Sequence, residues 1–211
     1  MKTKNILYPF LTFVFVLGTL TMNAQTKVYV HKSNGSSDEY NIADIDSISF
    51  TPRETAAIDY SNLKLNEISG VGSDSEKFYE FFNTGAAAIN LEGCKLYYNN
   101  APATDATDGS LTWTGSSTQV INGNALFALI GRNKPGSFTT GLTAKGNIKI
   151  TLRDPAGNLI DEFKRSDYVA GSSFEDKSFS RIPNGTGDFY YTTPTPGALN
   201  PASTDGLTRV N

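Results

Sequence analysis

Ile148-Lys149-Ile150-Thr151-Leu152-Arg153, then Asp154-Pro155-Ala156-Gly157-Asn158, then Leu159-Ile160-Asp161-Glu162-Phe163 is the stretch that decides the fold. Its first six residues alternate aliphatic with polar, so Ile148, Ile150 and Leu152 share the inward face of a strand while Lys149, Thr151 and Arg153 point out. The Asp-Pro-Ala-Gly-Asn cluster is a turn, and the run to Phe163 returns as the hairpin partner. The same pattern repeats on either side of this hairpin. Leu63-Lys64-Leu65 opens a strand, and Lys77 to Phe82 is another, closed by Asn83-Thr84-Gly85. Cys94 to Tyr98, Leu111-Thr112-Trp113 and Ala125 to Ile130 follow, the last continuous enough to be covered on both faces. No segment carries a helical period. Seven or more short strands at this spacing predict an all-β chain, an immunoglobulin-like β-sandwich.

The ends of the chain differ from this middle. Lys2 and Lys4 precede an apolar run from Ile6 to Leu20, and Ala24 is a small residue suited to cleavage. The run is broken by Pro9 and Gly18 and is shorter than the ~20 residues that span a bilayer. Residues 1–24 are therefore expected to be a signal peptide, leaving a secreted, periplasmic or cell-surface product with no transmembrane segment. Residues 25–53 read as a small β-hairpin arm around Asn34-Gly35, with a helical turn in Ala43–Ile48 and a final short strand to Phe50. Residues 54–60 are a linker, 61–200 the main domain and 201–211 a C-terminal tail.

Composition narrows the chemistry. The 211 residues carry 18 Lys plus Arg against 21 Asp plus Glu, a net charge of −3. Cleavage after Ala24 removes two lysines and no acid, leaving 16 against 21, or −5. Such a balance argues against nucleic acid as a partner, because phosphate binding needs a clustered cationic excess. One cysteine, Cys94, excludes an intrachain disulfide and any multi-cysteine metal site. The sole histidine, His31, lies in the arm, and no Gly-x-Ser-x-Gly elbow is present.

The landmarks of the middle region, in order, resemble the lamin-tail domain, a family of immunoglobulin-like sandwiches found in nuclear lamins and in secreted bacterial proteins. The resemblance rests on Leu65-Asn66-Glu67-Ile68, on Tyr79-Glu80-Phe81-Phe82-Asn83, and on Leu91-Glu92-Gly93-Cys94-Lys95-Leu96, where a tryptophan more often follows the glycine. It continues through Asn122-Gly123-Asn124-Ala125-Leu126, the hairpin with Ile150, Asp154, Gly157 and Asp161, then Ser180-Arg181-Ile182-Pro183-Asn184-Gly185 and Thr195-Pro196-Gly197-Ala198-Leu199-Asn200. The arm, with Tyr40-Asn41-Ile42 and Ile45 to Phe50, resembles a segment common at the start of bacterial surface proteins. The resemblance implies no catalysis, no cofactor, and a binding or scaffolding role. It marks Glu67, Glu80, Asn83, Gly93, Asp154, Gly157, Asp161, Arg181, Gly185, Pro196, Gly197 and Asn200 as structural.

Glu67 and Glu80 are the most tempting acid–base pair, since glycoside hydrolysis needs two carboxylates across a bond. They serve equally as acceptors for backbone or Arg181 donors inside a sandwich, which is the reading preferred here. The Asp154–Asp161 stretch and Asp105-Ala106-Thr107-Asp108-Gly109 carry oxygen ligands at short spacing, but without the alternate carboxylates of a calcium loop. They read as Asx turns, and no metal is expected. Tyr97, Tyr98, Trp113, Tyr190 and Tyr191 are candidate ligand-binding aromatics for sugar rings, although one tyrosine of each pair must face the core. The function expected is a non-catalytic interaction or adhesion module. It presents the loops Asn99–Gly109, Gly131–Gly141 and Ser166–Lys177 to a protein or surface ligand, with polysaccharide binding through the aromatics as the alternative.

Overall fold

The computed structural model describes residues 26–48, 58–100 and 107–211. The chain divides into two compact units, residues 1–55 and 56–211. In the first, β1 (Lys27–His31) and β2 (Ser37–Asn41) form an antiparallel hairpin, followed by a 3-10 turn at Ile42–Asp44. The hairpin turns at Asn34-Gly35, where glycine takes φ +84° and the Asn34 side chain accepts from the Ser36 N–H at 3.0 Å. Ion pairs Lys27–Glu39 and Lys32–Asp38 line its surface, and none of its described residues is buried. The helical turn falls one residue earlier than expected, and Ser49 and Phe50, the end of the expected final strand, lie outside the described residues. So do residues 1–25, with the whole of the expected signal segment, the expected linker as far as Ala57, and residues 101–106, with Asp105 and Ala106.

The second unit contains β3 (Leu63–Ser69), β4 (Phe78–Asn83), β5 (Ile89–Asn90), β6 (Lys95–Asn100) and β7 (Ser110–Thr114). It continues with β8 (Val120–Ile121), β9 (Leu126–Ile130), β10 (Ile148–Arg153), β11 (Leu159–Arg165), β12 (Ser178–Ile182) and β13 (Asp188–Thr192). One sheet has the order β11-β10-β6-β7 and the other β13-β12-β3-β4-β9, with β5-β8 a small third pair. The strand pairings among the described residues of this unit are antiparallel.

Period-two alternation delivers one apolar face of each large sheet to a shared core. Leu96, Trp113, Ile148, Ile150, Leu152 and Phe163 come from one side, and Leu63, Leu65, Ile68, Phe81, Leu129 and Phe179 from the other. Phe163 stacks on Phe179 at 5.0 Å and Phe81 meets Trp113 at 5.5 Å, so the sheets touch through aromatic pairs. Cys94 stands fully buried in this core, and burial pushes its thiol up to about 11.

Three expectations change. The second face of β10 is not solvated: Lys149 is 4 % exposed and Thr151 0 %. β10 is an interior strand, and Thr151 is flanked in register by Tyr97 and Glu162. Lys149 reaches Glu162 at 3.0 Å and Arg153 binds Asp108 at 2.6 Å, so long side chains lie across the sheet and cover it. The apolar run Ala125–Ile130 is not covered on both faces either. β9 is an edge strand, with Leu129 buried but Ile130 39 % exposed. Residues 201–211 are no free tail. Arg209 bridges Tyr190, Tyr191 donates its N–H to Thr208, Val210 donates to Phe189, and the Val210 side chain is buried in the core.

Ile150→Ala is expected to cost about 2–5 kcal/mol in denaturant melts, because a fully buried aliphatic side chain leaves a cavity. Thr151→Ala, which removes a hydroxyl from beneath flexible side chains, should cost clearly less. Equal costs would place the wrong face of β10 in the core.

Candidate functional site

Leu65 sits where β3 lacks a strand neighbour, since β12 pairs only with Glu67 and Ile68. Its buried backbone groups on that side need partners, and two charged side chains supply them. The Leu65 N–H donates to Asp161 Oδ2 at 2.9 Å, and its carbonyl accepts from Arg181 Nε at 2.8 Å. Arg181 closes the loop through Nη2 to Asp161 at 2.7 Å, reaches the Gly187 carbonyl at 3.0 Å, and lies over the Phe189 ring at 4.4 Å. Asp161 belongs to β11 and Arg181 to β12, so this clasp joins the two sheets.

One residue later β3 bulges, the register shifting between Leu65 and Glu67. The extra residue, Asn66, is fully buried and makes a hub. Its Nδ2 donates to Glu80 Oε1 and to Asn184 Oδ1, both at 2.9 Å, and its Oδ1 accepts from the Gly185 N–H at 3.0 Å. Gly185 has φ +72°, and a Cβ there would fall 2.5 Å from Thr84 Cγ2, which reserves the position for glycine. Asn200 Nδ2 donates to the carbonyls of Asn66, at 3.1 Å, and Arg181, at 3.0 Å.

Past the bulge, Glu67 and Glu80 are a cross-strand pair on the outer face of the five-stranded sheet. A strap of residues 193–200 lies over them. Glu67 accepts from the Thr195 N–H at 3.1 Å and from Thr195 Oγ1 at 2.7 Å. Glu80 accepts from the Gly197 N–H at 2.8 Å, a donor presented by a turn with Gly197 at φ +75°. Both carboxyls are 0 % exposed. Burial raises Glu67 above the ordinary carboxylate range despite the Thr195 donors, and raises Glu80 to about 7 against its Asn66 and Gly197 donors, with the charge of Glu67 adding to the rise. Arg181, expected as one possible partner of the glutamates, serves Asp161 instead.

The remaining sequence-derived residues hold turns. Asn83 donates to the Ala87 carbonyl at 2.7 Å and accepts from Gly85 at 3.0 Å, fixing the loop after β4. Asp154 accepts from the N–H and the Nδ2 of Asn158, both at 2.8 Å, with Gly157 at φ +92° in the same turn and Gly93 at φ +75° before β6. Pro196 lies in the strap, beside a groove shared with Phe78, Ile130 and Pro194. Among the described residues no three His, Cys, Asp or Glu side chains converge. His31 is exposed on β1 of the first unit.

The five aromatics do not assemble into a platform. Trp113 is 4 % exposed, with its Nε1 donating to the Gly136 carbonyl at 3.1 Å. Tyr98 and Tyr191 are also core residues, so the alternation rule takes one tyrosine from each pair as expected. Tyr97 and Tyr190, the two half-exposed ones, belong to outer faces of different sheets. A surface groove of about 560 Å³ instead lies at a loop end. It is lined by Tyr98, Asn99, Asn100, Ser110, Thr140 and Thr143, with glycines and Leu142 completing it.

Asn66, Asn184 and Thr195, central to the network, lie in the stretches that carry the resemblance but are not among the residues it marks as structural. Asn66 leaves one trace there: core residues Leu63 and Leu65 are two apart, but Leu65 and Ile68 are three apart, the parity slip of a bulge.

Two antiparallel sheets closed on an aromatic core define an immunoglobulin-like β-sandwich. The model of the Lamin Tail Domain family matches residues 56–167, more than half of the 211 residues, and the chain belongs to that family. The family is an immunoglobulin-like domain, generally non-catalytic. No curated protein matches the chain.

The raised Glu80 gives a signed pH dependence. Its folded value, about 7, exceeds the 4.5 of a free glutamate, so the folded state holds this proton more tightly. Its contribution to stability is full below about pH 4.5 and is lost as pH rises through 7, a change of about 2–4 kcal/mol. Glu80→Gln should flatten the fall in stability between pH 5 and 7.5, measured by urea melts at each pH. An undiminished slope would mean that Glu80 is not the titrating group.

Proposed function

We propose that this is an exported, non-catalytic interaction module of the cell envelope, which binds a protein partner through the loop end of its sandwich. One observation carries the reading: Glu67 and Glu80, the carboxylate pair that the sequence offers as acid and base, are consumed by the strap. Glycoside hydrolysis requires two carboxyl groups open to a sugar ring. Glu67 and Glu80 are instead saturated by Thr195, Gly197 and Asn66 donors and are closed to solvent.

The Tyr98–Ser110–Thr140 groove supports the location. It brings together two of the expected presenting loops, and its amide and hydroxyl groups are uncharged. Such groups suit hydrogen bonding to a peptide backbone, whereas sugar recognition gains most from exposed aromatic rings, which this groove lacks. Export rests on Lys2, Lys4, the interrupted apolar run and Ala24. No helix among the described residues is long and apolar enough to cross a membrane.

The test is binding of the protein to an envelope fraction of its own host, alongside a glycan array and an ester and glycoside hydrolysis panel. Ser110→Arg and Thr140→Arg, which fill the groove, should weaken envelope binding at least tenfold with melting temperatures little changed. Glu80→Gln should leave binding intact. Glycan-array binding that survives both arginine variants would displace the protein-ligand reading. Hydrolysis lost in a folded Glu80→Gln protein would overturn the non-catalytic one.

A further inference from the structure

The two large sheets have four edges, and three of them are protected. β11 carries Asp161, Glu162, Lys164 and Arg165, and its Asp161 is occupied by Leu65 and Arg181. β13 is paired with residues 208–210. β7 receives the Thr139 N–H at its Thr112 carbonyl, and its Thr112 hydroxyl accepts from Thr140. Charged side chains and covering loops are the usual means by which proteins prevent sheets from adding to one another.

β9 has none of these. Leu126-Phe127-Ala128-Leu129-Ile130 contains no charge and no proline, and its pairing with β4 runs without a bulge. The bonds from Asn83 to Ala125 and from Gly131 to Lys77 fix the phase of that ladder. Residues 125, 127, 129 and 131 bond towards β4, so the N–H and C=O groups of Leu126, Ala128 and Ile130 point the other way. Among the described residues nothing pairs with them. The loop after β9 passes on to Trp113 and Gln119 through the Gly136 carbonyl, without bonding to the strand.

We propose that β9 is a self-association edge, where a second copy of this chain pairs antiparallel about a two-fold axis through Ala128. The free groups are symmetric about that residue, so Leu126 faces Ile130 of the other copy, Ile130 faces its Leu126, and Ala128 faces Ala128. Roughly six backbone hydrogen bonds form, two for each directly opposed pair. The five-stranded sheets of the two copies become one continuous sheet. Charge agrees with this occupant. The five paired residues carry no charge, so two copies set no like charges against each other along the strand. Interface area sets the strength: a five-residue strand pair is smaller than the ~1,200 Å² of a stable complex, so the dimer depends on concentration.

Sedimentation of the full chain, purified from its host, should show a reversible monomer–dimer equilibrium. Directly opposed hydrogen-bonded residues lie about 5.5 Å apart at Cα, within disulfide range. Ala128→Cys should therefore cross-link between copies under mild oxidation at least tenfold faster than Val120→Cys, an exposed control on β8. Ala128→Pro removes an N–H that faces away from β4, and Ala128→Lys places two cations on the axis. Each should abolish the dimer, and the lysine variant serves if the proline variant fails to fold. A chain monomeric to roughly 1 mM overturns the proposal. So does a dimer that persists in a folded lysine variant, or cross-linking at 128 no faster than at 120.

Discussion

The ion pair between Asp161 and Arg181 is the constraint on which the polar half of this domain depends. Strand β3 leaves the backbone of Leu65 without a neighbouring strand on one side, and a buried amide with no partner costs on the order of 1–3 kcal/mol. A carboxylate from β11 and a guanidinium from β12 fill both vacancies and bind each other. Because the two belong to different sheets, the contact also sets how the sheets meet along this side. Arg181 further holds the Gly187 carbonyl, which fixes the loop between β12 and β13. That loop carries Asn184 and Gly185 onto Asn66, and Asn66 in turn orients Glu80.

The network is not an economical source of stability. Desolvation lifts both glutamates above their ordinary range, and the hydrogen bonds they accept offset only part of that rise. An apolar patch in their place would cover the sheet at lower electrostatic cost. What an apolar patch lacks is direction. Residues 193–200 form no regular secondary structure, so no ladder determines where they lie. Donors at Thr195 and Gly197 matched to two adjacent carboxyls fix both the position and the register of the strap. Directional groups thus do for an irregular segment what the backbone ladder does for a strand.

Alternation made the strands legible, and it did so best where one face meets the core: Ile148, Ile150 and Leu152 lie where their spacing puts them. It failed where a second layer of covering depends on neighbours distant in sequence. Lys149 and Thr151 look like solvent residues, but β10 acquires a strand on each side, and those neighbours close over them. Ala125–Ile130 looks buried on both faces, yet its place at the edge is a matter of sheet order, which no local pattern encodes. Trp113 looks like a binding residue because tryptophan is often one, while its partners, Phe81 and Gly136, are fixed only by the closed sandwich. The hub was nearly readable through the parity slip at Asn66. Its partners, Asn184 and Asn200, lie 118 and 134 residues away, and nothing in the spacing connects them.

The family match and the physical unit do not have the same extent. The match ends at residue 167, within reach of β11 but before β12, β13 and the strap. The donors that the clasp and the glutamates take from the C-terminal part, among them Arg181, Ser178, Thr195 and Gly197, lie beyond that point. A unit ending there would leave the Leu65 carbonyl without its guanidinium, Asp161 without its counter-charge, and two buried glutamates with one Asn66 donor between them. It would also lose two strands of the five-stranded sheet, along with Phe179 and Tyr191 from the core. The part most recognisable as sequence therefore depends on a part that is less so, because strands repeat a common pattern while the strap is held by single residues. By this reasoning the smallest self-sufficient unit continues through Val210, whose side chain packs into the core and whose backbone pairs with β13.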